Sequence, residues 1–281
     1  MSYSIRLNNG VATDEVAMHH IKLNNGIELP MIGFGTYQIP ASKTARCVAD
    51  ALSVGYRLID TAQCYGNESE VGEAVRASCI PREEIFITTK LWGTRGFNDT
   101  VVSIDKSLKR LDTYIDLLLL HEPTGNYHEI YRAMENALEE GKVRSIGVAN
   151  FIGKTFIGLA DNCDVVPAVN QIETHVFRQQ DSMKKLLDNY GTMLQSWSPL
   201  ACGQNGIFQN SVLKQIADKH DKTIAQVSLR WLIQRGIPII PKSTHKERME
   251  ENIQIFDFVL SEEEMKIIST LDLDRSMFNW W

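Results

Sequence analysis

Short apolar runs alternate along the chain with longer segments in which apolar residues recur at helical spacing. The short runs predict strands, and the segments after them predict amphipathic helices. The predicted strands are residues 31–34, 56–59, 85–89, 115–120, 145–149, 168–172, 193–197 and 237–240. The predicted helices are residues 41–53, 68–77, 100–111, 127–139, 154–160, 179–189, 212–220, 224–234 and 246–254. The pattern therefore indicates eight strand-then-helix units.

No Pro-, Gly- or Ser-rich linker divides these units, which favours one closed parallel α/β barrel, a TIM (β/α)8 fold, over two domains. The nearly all-apolar run at residues 115–120 is typical of a strand covered on both faces. A doubly wound open sheet is the alternative. Its dinucleotide-binding fingerprint is incomplete, because residues 33–38 lack the third glycine and an early helix start. A further C-terminal helix, residues 262–271 with Ser261 as N-cap, lies outside the repeat.

The hexapeptides at residues 5–10 and 21–26 are nearly identical. The second predicts a β-hairpin of residues 21–23 and 27–29 with a type I′ turn at Asn25-Gly26. The first has no clear partner, so residues 1–17 are interpreted as a flexible extension, with an edge strand as the alternative. Residues 18–281 are interpreted as a single domain that ends in a tail.

Charge and cysteine usage narrow the class of protein. The 29 Lys and Arg and 35 Asp and Glu residues give a formal charge of −6 without a basic block, which argues against a nucleic-acid partner. The five cysteines are widely spaced and odd in number, which indicates reduced thiols in the cytosol. No apolar run approaches the roughly 20 residues of a membrane span, so no membrane association is expected.

Active sites of such barrels lie at the C-terminal ends of the strands. Polar residues stand at the ends of successive predicted strands: Asp60, Lys90, His121, Asn150, and Gln171 with Glu173. Tyr65 follows on the loop after the second strand. Each residue alone has an ordinary interpretation as the start of a loop, but together they indicate a group for proton transfer.

The chemistry of this group is specific. A phenol has a pKa near 10, and we expect the ammonium of Lys90 to lower the pKa of Tyr65. Asp60 would hold Lys90 charged and oriented, and His121 would orient the substrate oxygen. Such a set protonates an oxygen on which negative charge develops, as when hydride adds to a carbonyl.

The motifs of the chain resemble those of the aldo-keto reductase family, in particular the branch of 2,5-diketo-gluconate reductase and prostaglandin F synthase, over residues 21–278. They are GFGTYQ (33–38), GYRLIDTAQCYGNESEVG (55–72), TTKLW (88–92), LLLLH (117–121), GKVRSIGVANF (141–151), NQIE (170–173), SWSPLA (196–201) and IPKSTHKERMEEN (240–252). The resemblance implies a barrel with an N-terminal hairpin floor, NADPH across the C-terminal face, no metal, and a catalytic tetrad of Asp60, Tyr65, Lys90 and His121. In that tetrad the tyrosine is the general acid.

The resemblance also implies a set of cofactor-binding residues. Asn150 and Gln171 match the carboxamide ligands, and Trp197 matches the ring that stacks on nicotinamide. The remaining matches are Gly35, Thr36, Ser198 and Leu200 for pyrophosphate or ribose, Lys242, Ser243, Thr244 and Arg248 for the 2′-phosphate, and Glu251 and Asn252 for adenine. Without the resemblance, Asn150 would be interpreted as a helix cap, Gln171 as a loop residue at a strand end and Trp197 as a core aromatic. Lys242 through Arg248 would be interpreted as a solvated helix start. A point charge and a planar fork at the 2′-phosphate favour NADPH over NADH.

Substrate positions follow from the same comparison. Tyr37 and Trp92 match pocket walls, and Glu122 replaces a common aromatic, so it either makes the pocket more acidic or points away. Phe278, Trp280 and Trp281 either line the pocket or mark a truncated tail. Cys64 is interpreted as an inert thiol, with sensitivity to oxidation as the alternative.

The sequence therefore predicts a monomeric, cytosolic, NADPH-dependent reductase of small aldehydes and ketones. One alternative is a catalytically weak regulatory protein that binds NADPH on the same fold, which the intact tetrad disfavours. Another is a metal-dependent barrel hydrolase, which the absence of HxH or HExxH spacing among seven histidines disfavours.

Overall fold

The computed structural model describes residues 19–278. Two antiparallel strands, β1 (His20–Lys22) and β2 (Glu28–Pro30), precede seven strands that form one parallel sheet in chain order. The parallel strands are β3 (Phe34–Gly35), β4 (Leu58–Asp60), β5 (Phe86–Leu91), β6 (Leu117–Leu120), β7 (Ile146–Ala149), β8 (Val169–Glu173) and β9 (Met193–Trp197). The predicted extension over residues 1–17, and any role of Trp280 and Trp281, lie outside the described residues.

Helices connect the parallel strands and pack outside them, so the predicted alternation of strands and helices is confirmed. The helices are α1 (Ala41–Val54), α2 (Glu68–Ala77), α3 (Phe97–Leu111), α4 (Tyr127–Glu139), α5 (Lys154–Ala160), α6 (Asp181–Tyr190), α7 (Ser211–Lys219), α8 (Ile224–Gln234), α9 (Lys246–Ile253) and α10 (Glu262–Ser269). Helix α10 begins with a capping box in which Ser261 and Glu264 bond each other's backbone amides.

The ring of parallel strands closes where the sequence predicts its eighth strand. There Ile239 forms isolated parallel bridges to Ile32 on one side and to Ser196 of β9 on the other. The prediction of a regular strand is wrong, because Pro238 and Pro241 flank this residue and have no amide proton to donate to a ladder. The barrel is therefore closed by single-residue bridges rather than by a full strand.

The N-terminal hairpin covers the end of the barrel at which the strands begin. Leu23 and Leu29 are buried in one cluster with residues near the strand starts, such as Leu58. The predicted type I′ turn is wrong: in the turn, φ is positive only at Gly26, which makes a three-residue loop with a glycine bulge. The side chain of Asn25 donates to the Ser145 hydroxyl at 2.5 Å, so a contact with the barrel overrides the local preference.

Alternate residues of the strands face opposite sides of the sheet, and both sides are buried. In β6, Leu117 and Leu119 belong to the cluster inside the barrel, whereas Leu118 and Leu120 pack under the helices. The prediction of a strand covered on both faces is confirmed. The same alternation fixes which strand-end side chains point into the barrel.

Candidate active site

The inward-facing side chains change from apolar to polar between one inward position of a strand and the next, two residues later. Leu58 and Val169 lie in the inner apolar cluster, and the residues two positions later on the same strands are Asp60 and Gln171. His121 stands in the same relation to Leu119. Because alternate residues share a face, these polar side chains meet directly above the apolar layer.

Asp60, Lys90 and Tyr65 form a hydrogen-bonded row. Lys90 Nζ donates to Asp60 Oδ1 at 2.5 Å, to the Thr61 carbonyl at 3.1 Å and to the Tyr65 hydroxyl at 3.3 Å. The side chains of Lys90 and Asp60 are 1% and 2% exposed. A buried ion pair of this kind persists only when its polar atoms have further partners, which the other contacts of Lys90 provide.

The loop that presents Tyr65 is held by a buried asparagine. Residues Gln63–Tyr65 form one 3-10 turn, which Gly66 ends in the left-handed conformation. Asn67 then donates to the carbonyls of Thr36 and Ile39 and accepts from the Thr61 hydroxyl at 2.7 Å. Its amide therefore ties the loop after β3 to the loop after β4 and fixes the direction of Tyr65.

Burial raises the pKa of Tyr65 well above its usual value, and the nearby Asp60 carboxylate raises it further. The expectation that Lys90 lowers this pKa is wrong for the structure. The ammonium lies 0.8 Å closer to Asp60 Oδ1 than to the phenol oxygen, from 3.3 − 2.5, so the carboxylate largely offsets its charge. Tyr65 is therefore a protonated phenol at neutral pH, as a proton donor must be.

His121 is a neutral imidazole beside this row. Burial, followed by the charge of Lys90, lowers the pKa of His121 to about 3. Its ring centroid lies 5.8 Å from that of Tyr65, and its Nδ1 lies 3.5 Å from the exposed Cys64 thiol, whose pKa is raised by burial. A neutral imidazole can donate one hydrogen bond to a carbonyl oxygen without adding a charge.

Trp197 and Asn150 are held together at the same end of the barrel. Trp197 Nε1 donates to Asn150 Oδ1 at 2.8 Å, and Asn150 Nδ2 donates to the His121 carbonyl at 3.2 Å. Gln171 Nε2 instead donates to Asp60 Oδ2 at 2.8 Å and to Gln195 Oε1 at 2.9 Å. In the structure Gln171 is therefore a partner of the Asp60 carboxylate.

The predicted pocket walls surround this group. The ring of Tyr37 lies 5.0 Å from that of Tyr65, and the ring of Trp92 lies 5.1 Å from that of His121; both walls are more than two-fifths exposed. Glu122 is half-buried, and burial raises the pKa of its carboxyl group. A cavity of about 460 Å³ lies beside Cys64 and Trp92, but Tyr65, Lys90 and His121 do not line it.

The residues predicted to bind the rest of the cofactor lie in three places. Lys242 and Arg248 are exposed, while Ser243 and Asn252 are buried and Thr244 is half-buried. Glu251 accepts from the Thr223 hydroxyl at 2.6 Å. Gly35 donates to the Pro241 carbonyl, and a Cβ on it would meet the Ile240 carbonyl oxygen at 3.0 Å. Thr36 is buried with its amide and hydroxyl on the Asp60 carbonyl, Ser198 donates to Cys202 Sγ, and Leu200 packs against the core.

Sequence reasoning missed two residues that shape the site and gave Glu173, a polar strand end, no specific role. Asn67 holds the loop of Tyr65, and Gln195 holds the side chain of Gln171. The signal for Gln195 was its inward position at the level of Gln171, with which it is in register. Asn67 was visible only as a polar residue after a glycine.

Within residues 19–278, no group of three or more His, Cys, Asp or Glu side chains is arranged to hold a metal ion. In the same part of the chain, no helix combines the length and the apolar character that a membrane crossing needs.

Comparison with known proteins places this chain in a family. Residues 31–273 match the model of the aldo/keto reductase family. The chain is 42% identical over 259 residues to glyoxal reductase of Bacillus subtilis, which spans 91% of this chain and 93% of that protein.

Two solved structures extend the comparison. An aldo-keto reductase from a Medee basin deep-sea metagenome library is 44% identical, with a TM-score of 0.90 over 92% of this chain and 97% of that one. The Bombyx mori aldo-keto reductase in complex with NADP is 33% identical, with a TM-score of 0.88 over 93% of this chain and 95% of that one. The sheet, its covering helices and the sequence thus agree, and the chain is an oxidoreductase that belongs to the aldo/keto reductase family.

Proposed function

We propose that the protein reduces small aldehydes and ketones to alcohols with NADPH, and that Tyr65 is the general acid. The observation that carries this proposal is the position of Lys90 Nζ between Asp60 Oδ1, at 2.5 Å, and the Tyr65 hydroxyl, at 3.3 Å. A protonated phenol, an ammonium and a neutral imidazole in one group suit the protonation of a carbonyl oxygen. The glyoxal reductase of Bacillus subtilis, a carbonyl reductase by name, supports this reaction class.

The residues present fit NADPH. Lys242 and Arg248 are exposed, and within residues 19–278 neither has an ion-pair or side-chain hydrogen-bond partner, so both cations are available to a phosphate. Trp197, held by Asn150, offers a ring for stacking. When bound, NADPH supplies a hydride. The NADP complex of the Bombyx mori relative supports the choice of cofactor.

Each member of the group then has a task. His121 and Tyr65 bind the carbonyl oxygen and orient it, because both side chains border the same space. As hydride adds to the carbonyl carbon, the oxygen takes the proton of the Tyr65 hydroxyl. Lys90 stabilises the phenolate that remains, and Asp60 keeps Lys90 charged and in place.

The test is Tyr65→Phe, which removes the proton donor and keeps the ring. We expect kcat for methylglyoxal to fall about 10³-fold, within the range for loss of a general acid, while the Kd for NADPH changes less than about twofold. Tyr114→Phe is the matched control, since Tyr114 is half-buried and stacks on Arg82 at 3.8 Å, away from the group. Turnover of the Tyr65 variant at the rate of the control would overturn the proposed role.

The same experiment separates the regulatory alternative. A protein that only binds NADPH would show saturable binding without oxidation of the cofactor, and Tyr65→Phe would leave both observations as they were. The monomeric state and the cytosolic location stay predictions. Light scattering after size exclusion and cell fractionation test them.

A further inference from the structure

Glu173, at the end of β8, is a buried carboxylate that the proposed chemistry does not use. It is 2% exposed and lies two residues after Gln171 on the same strand. Its Oε1 lies 3.0 Å from His175 Nε2, and its Oε2 accepts a hydrogen bond from Arg178. Buried carboxylates need such partners, but this one has two more, and they come from a distant part of the chain.

Both additional donors belong to residues 276–278, which we call the C-terminal segment. Ser276 Oγ donates to Glu173 Oε2 at 2.7 Å, and the amide of Met277 donates to Oε1 at 2.9 Å. Ser276 Oγ also accepts from the amide of Phe278 at 3.0 Å, which closes a tight turn. One carboxylate therefore holds a segment about a hundred residues further along the chain and fixes the turn that leads to Phe278.

Phe278, the last residue of the C-terminal segment, packs against a residue of the candidate site, Trp197. The ring of Phe278 lies 5.2 Å from that of Trp197, with 51° between the planes, and Phe278 is 8% exposed. Trp197 is also the register partner of Glu173 on the neighbouring strand. The carboxylate and the two rings thus form one unit at the end of β8 and β9.

The charge of Glu173 is secured in this arrangement. Burial by itself would raise its pKa, but the hydrogen bonds from His175, from the Met277 amide and from Ser276, with the charge of Arg178, lower the pKa to about 2. The carboxylate is therefore an acceptor for the C-terminal segment throughout the neutral range.

We propose that Glu173 is a positioning residue that seats Phe278 against Trp197 and so builds an apolar wall of the substrate pocket, which selects carbonyl compounds with an aromatic or bulky apolar substituent. The inference rests on the proposed reduction of carbonyl compounds at Tyr65. We expect an aromatic aldehyde to reach this wall and methylglyoxal, which is smaller, to fall short of it. Loss of the hydrogen bonds between Glu173 and the C-terminal segment should therefore change KM for the two substrates differently.

The kinetic test uses 4-nitrobenzaldehyde and methylglyoxal with saturating NADPH. For Glu173→Gln we expect KM for the aromatic aldehyde to rise about 10-fold, the size of a lost apolar contact, while KM for methylglyoxal changes less than about twofold. Ser276→Ala, which removes the hydroxyl that donates to Glu173 and accepts from the Phe278 amide but leaves the buried carboxylate paired, should raise the first KM about threefold. It keeps the test open if Glu173→Gln does not fold.

A matched control is Glu264→Gln on α10. Glu264 is also a buried carboxylate with a pKa lowered to about 2, but its partners are Lys219, His220 and the Ser261 amide. We expect this variant to lose stability and to keep both KM values. An equal rise in KM for both aldehydes in Glu173→Gln, or the same rise in Glu264→Gln, would overturn the proposal.

A double-mutant cycle asks whether Glu173 acts through Phe278. If it does, Glu173→Gln adds less than about twofold to the KM of the Phe278→Ala variant for 4-nitrobenzaldehyde. Full multiplication of the two single effects would contradict the assignment.

A readout that needs no turnover separates this inference from the proposed function. Carboxypeptidase A releases apolar C-terminal residues fastest, releases polar ones more slowly and stops at arginine, so its end point on this chain is Arg275. By mass spectrometry we expect the Glu173→Gln chain to reach that end point about 10-fold faster than the wild-type chain, in which the segment must open first. Equal digestion rates would contradict the role of Glu173 in holding the C-terminal segment. Absence of NADPH oxidation by the wild-type chain would contradict only the proposed function.

Discussion

Two buried aspartates lie at opposite ends of the barrel, and each is paired with cations in a different way. Asp60, at the end of β4, binds Lys90, whose side chain is 1% exposed. Asp116, just before β6, binds Arg82 at 2.7 Å and Arg144 at 2.6 Å, and accepts from the amide of Ile87 at 2.9 Å. Both carboxylates are nearly inaccessible, so burial alone does not distinguish a site from a structural ion pair.

The difference lies in what else the cation reaches. Lys90 has a hydrogen atom left for the Tyr65 hydroxyl, and its compact charge lies beside a group that can ionise. Arg82 instead bonds the carbonyls of Ile85 and Tyr114, and its planar fork ties together the starts of neighbouring strands. The comparison teaches that a buried pair is a candidate for chemistry when its cation also donates a hydrogen bond to the ionisable atom of a second titratable group, as Lys90 does to the Tyr65 hydroxyl.

The largest expected effect is on the reactive pair. Lys90→Met removes the charge that stabilises the phenolate of Tyr65, so we expect kcat for methylglyoxal to fall about 10³-fold. Stopped-flow oxidation of NADPH measures it. The matched variant is Arg144→Met, which removes one cation from Asp116 and should leave kcat within about twofold of wild type. Similar losses in both variants would erase the distinction between the two aspartates.

The second prediction concerns the structural pair. Asp116→Asn removes the negative charge and one of the two oxygens that Arg82 and Arg144 bond, and we expect the free energy of unfolding to fall by about 3 kcal/mol, at the low end of such effects because water screens the partly exposed Arg144. Urea unfolding measures the change. kcat/KM of the folded variant should equal that of wild type, and a loss of activity without a loss of stability would contradict the assignment.

The third prediction takes a cation that has no carboxylate partner within residues 19–278. Arg248→Ala should raise KM for NADPH about 10-fold and leave KM for NADH unchanged, because only NADPH carries the 2′-phosphate. Arg132→Ala is the control, since Arg132 is an exposed arginine of α4 paired with Glu129. Equal KM values for NADPH and NADH in the wild-type chain would remove the role given to this arginine.

The smallest expected effect concerns pH: His121 should make stability, but not activity, depend on pH on the acid side. The pKa of His121 is lowered from 6.5 to about 3, so the folded protein binds fewer protons than the unfolded chain between these values. Stability therefore falls as the pH drops through this window, whereas His121 stays neutral and gives kcat/KM no acid limb near pH 6.5. His121→Gln should flatten the acid-side fall in unfolding free energy. A limb near pH 6.5 that vanishes in this variant would contradict the neutral imidazole.

Much of this arrangement was predictable because strand alternation is a local property. Asp60 and Lys90 stand at or beside the ends of strands whose apolar pattern fixes their inward direction, Tyr65 follows on the loop after β4, and the resemblance implied its role as general acid. The sequence also shows the prolines beside Ile239. A strand was nevertheless expected there because the apolar pattern was given more weight than the proline nitrogens, which have no hydrogen to donate.

Other features depend on contacts between distant parts of the chain. Gln171 and Asp60 are 111 positions apart, and their hydrogen bond appears only when β8 and β4 face each other across the barrel. Glu173 holds Ser276 over a similar separation. The raised pKa of Tyr65 likewise follows from burial, which a single sequence does not reveal.

The closure of the barrel at Ile239 has a consequence for its slow motions. Where one residue bridges two neighbours, few hydrogen bonds must break for the ring to open, so we expect the amides of Ile239 and Gly33 to exchange with solvent faster than those of β6. The chain runs from this seam to Lys242 in three residues. A cofactor bound at Lys242 would stabilise the closure of the barrel at Ile239. We therefore expect NADPH to slow amide hydrogen exchange at Ile239 and Gly33 more than in the other strands.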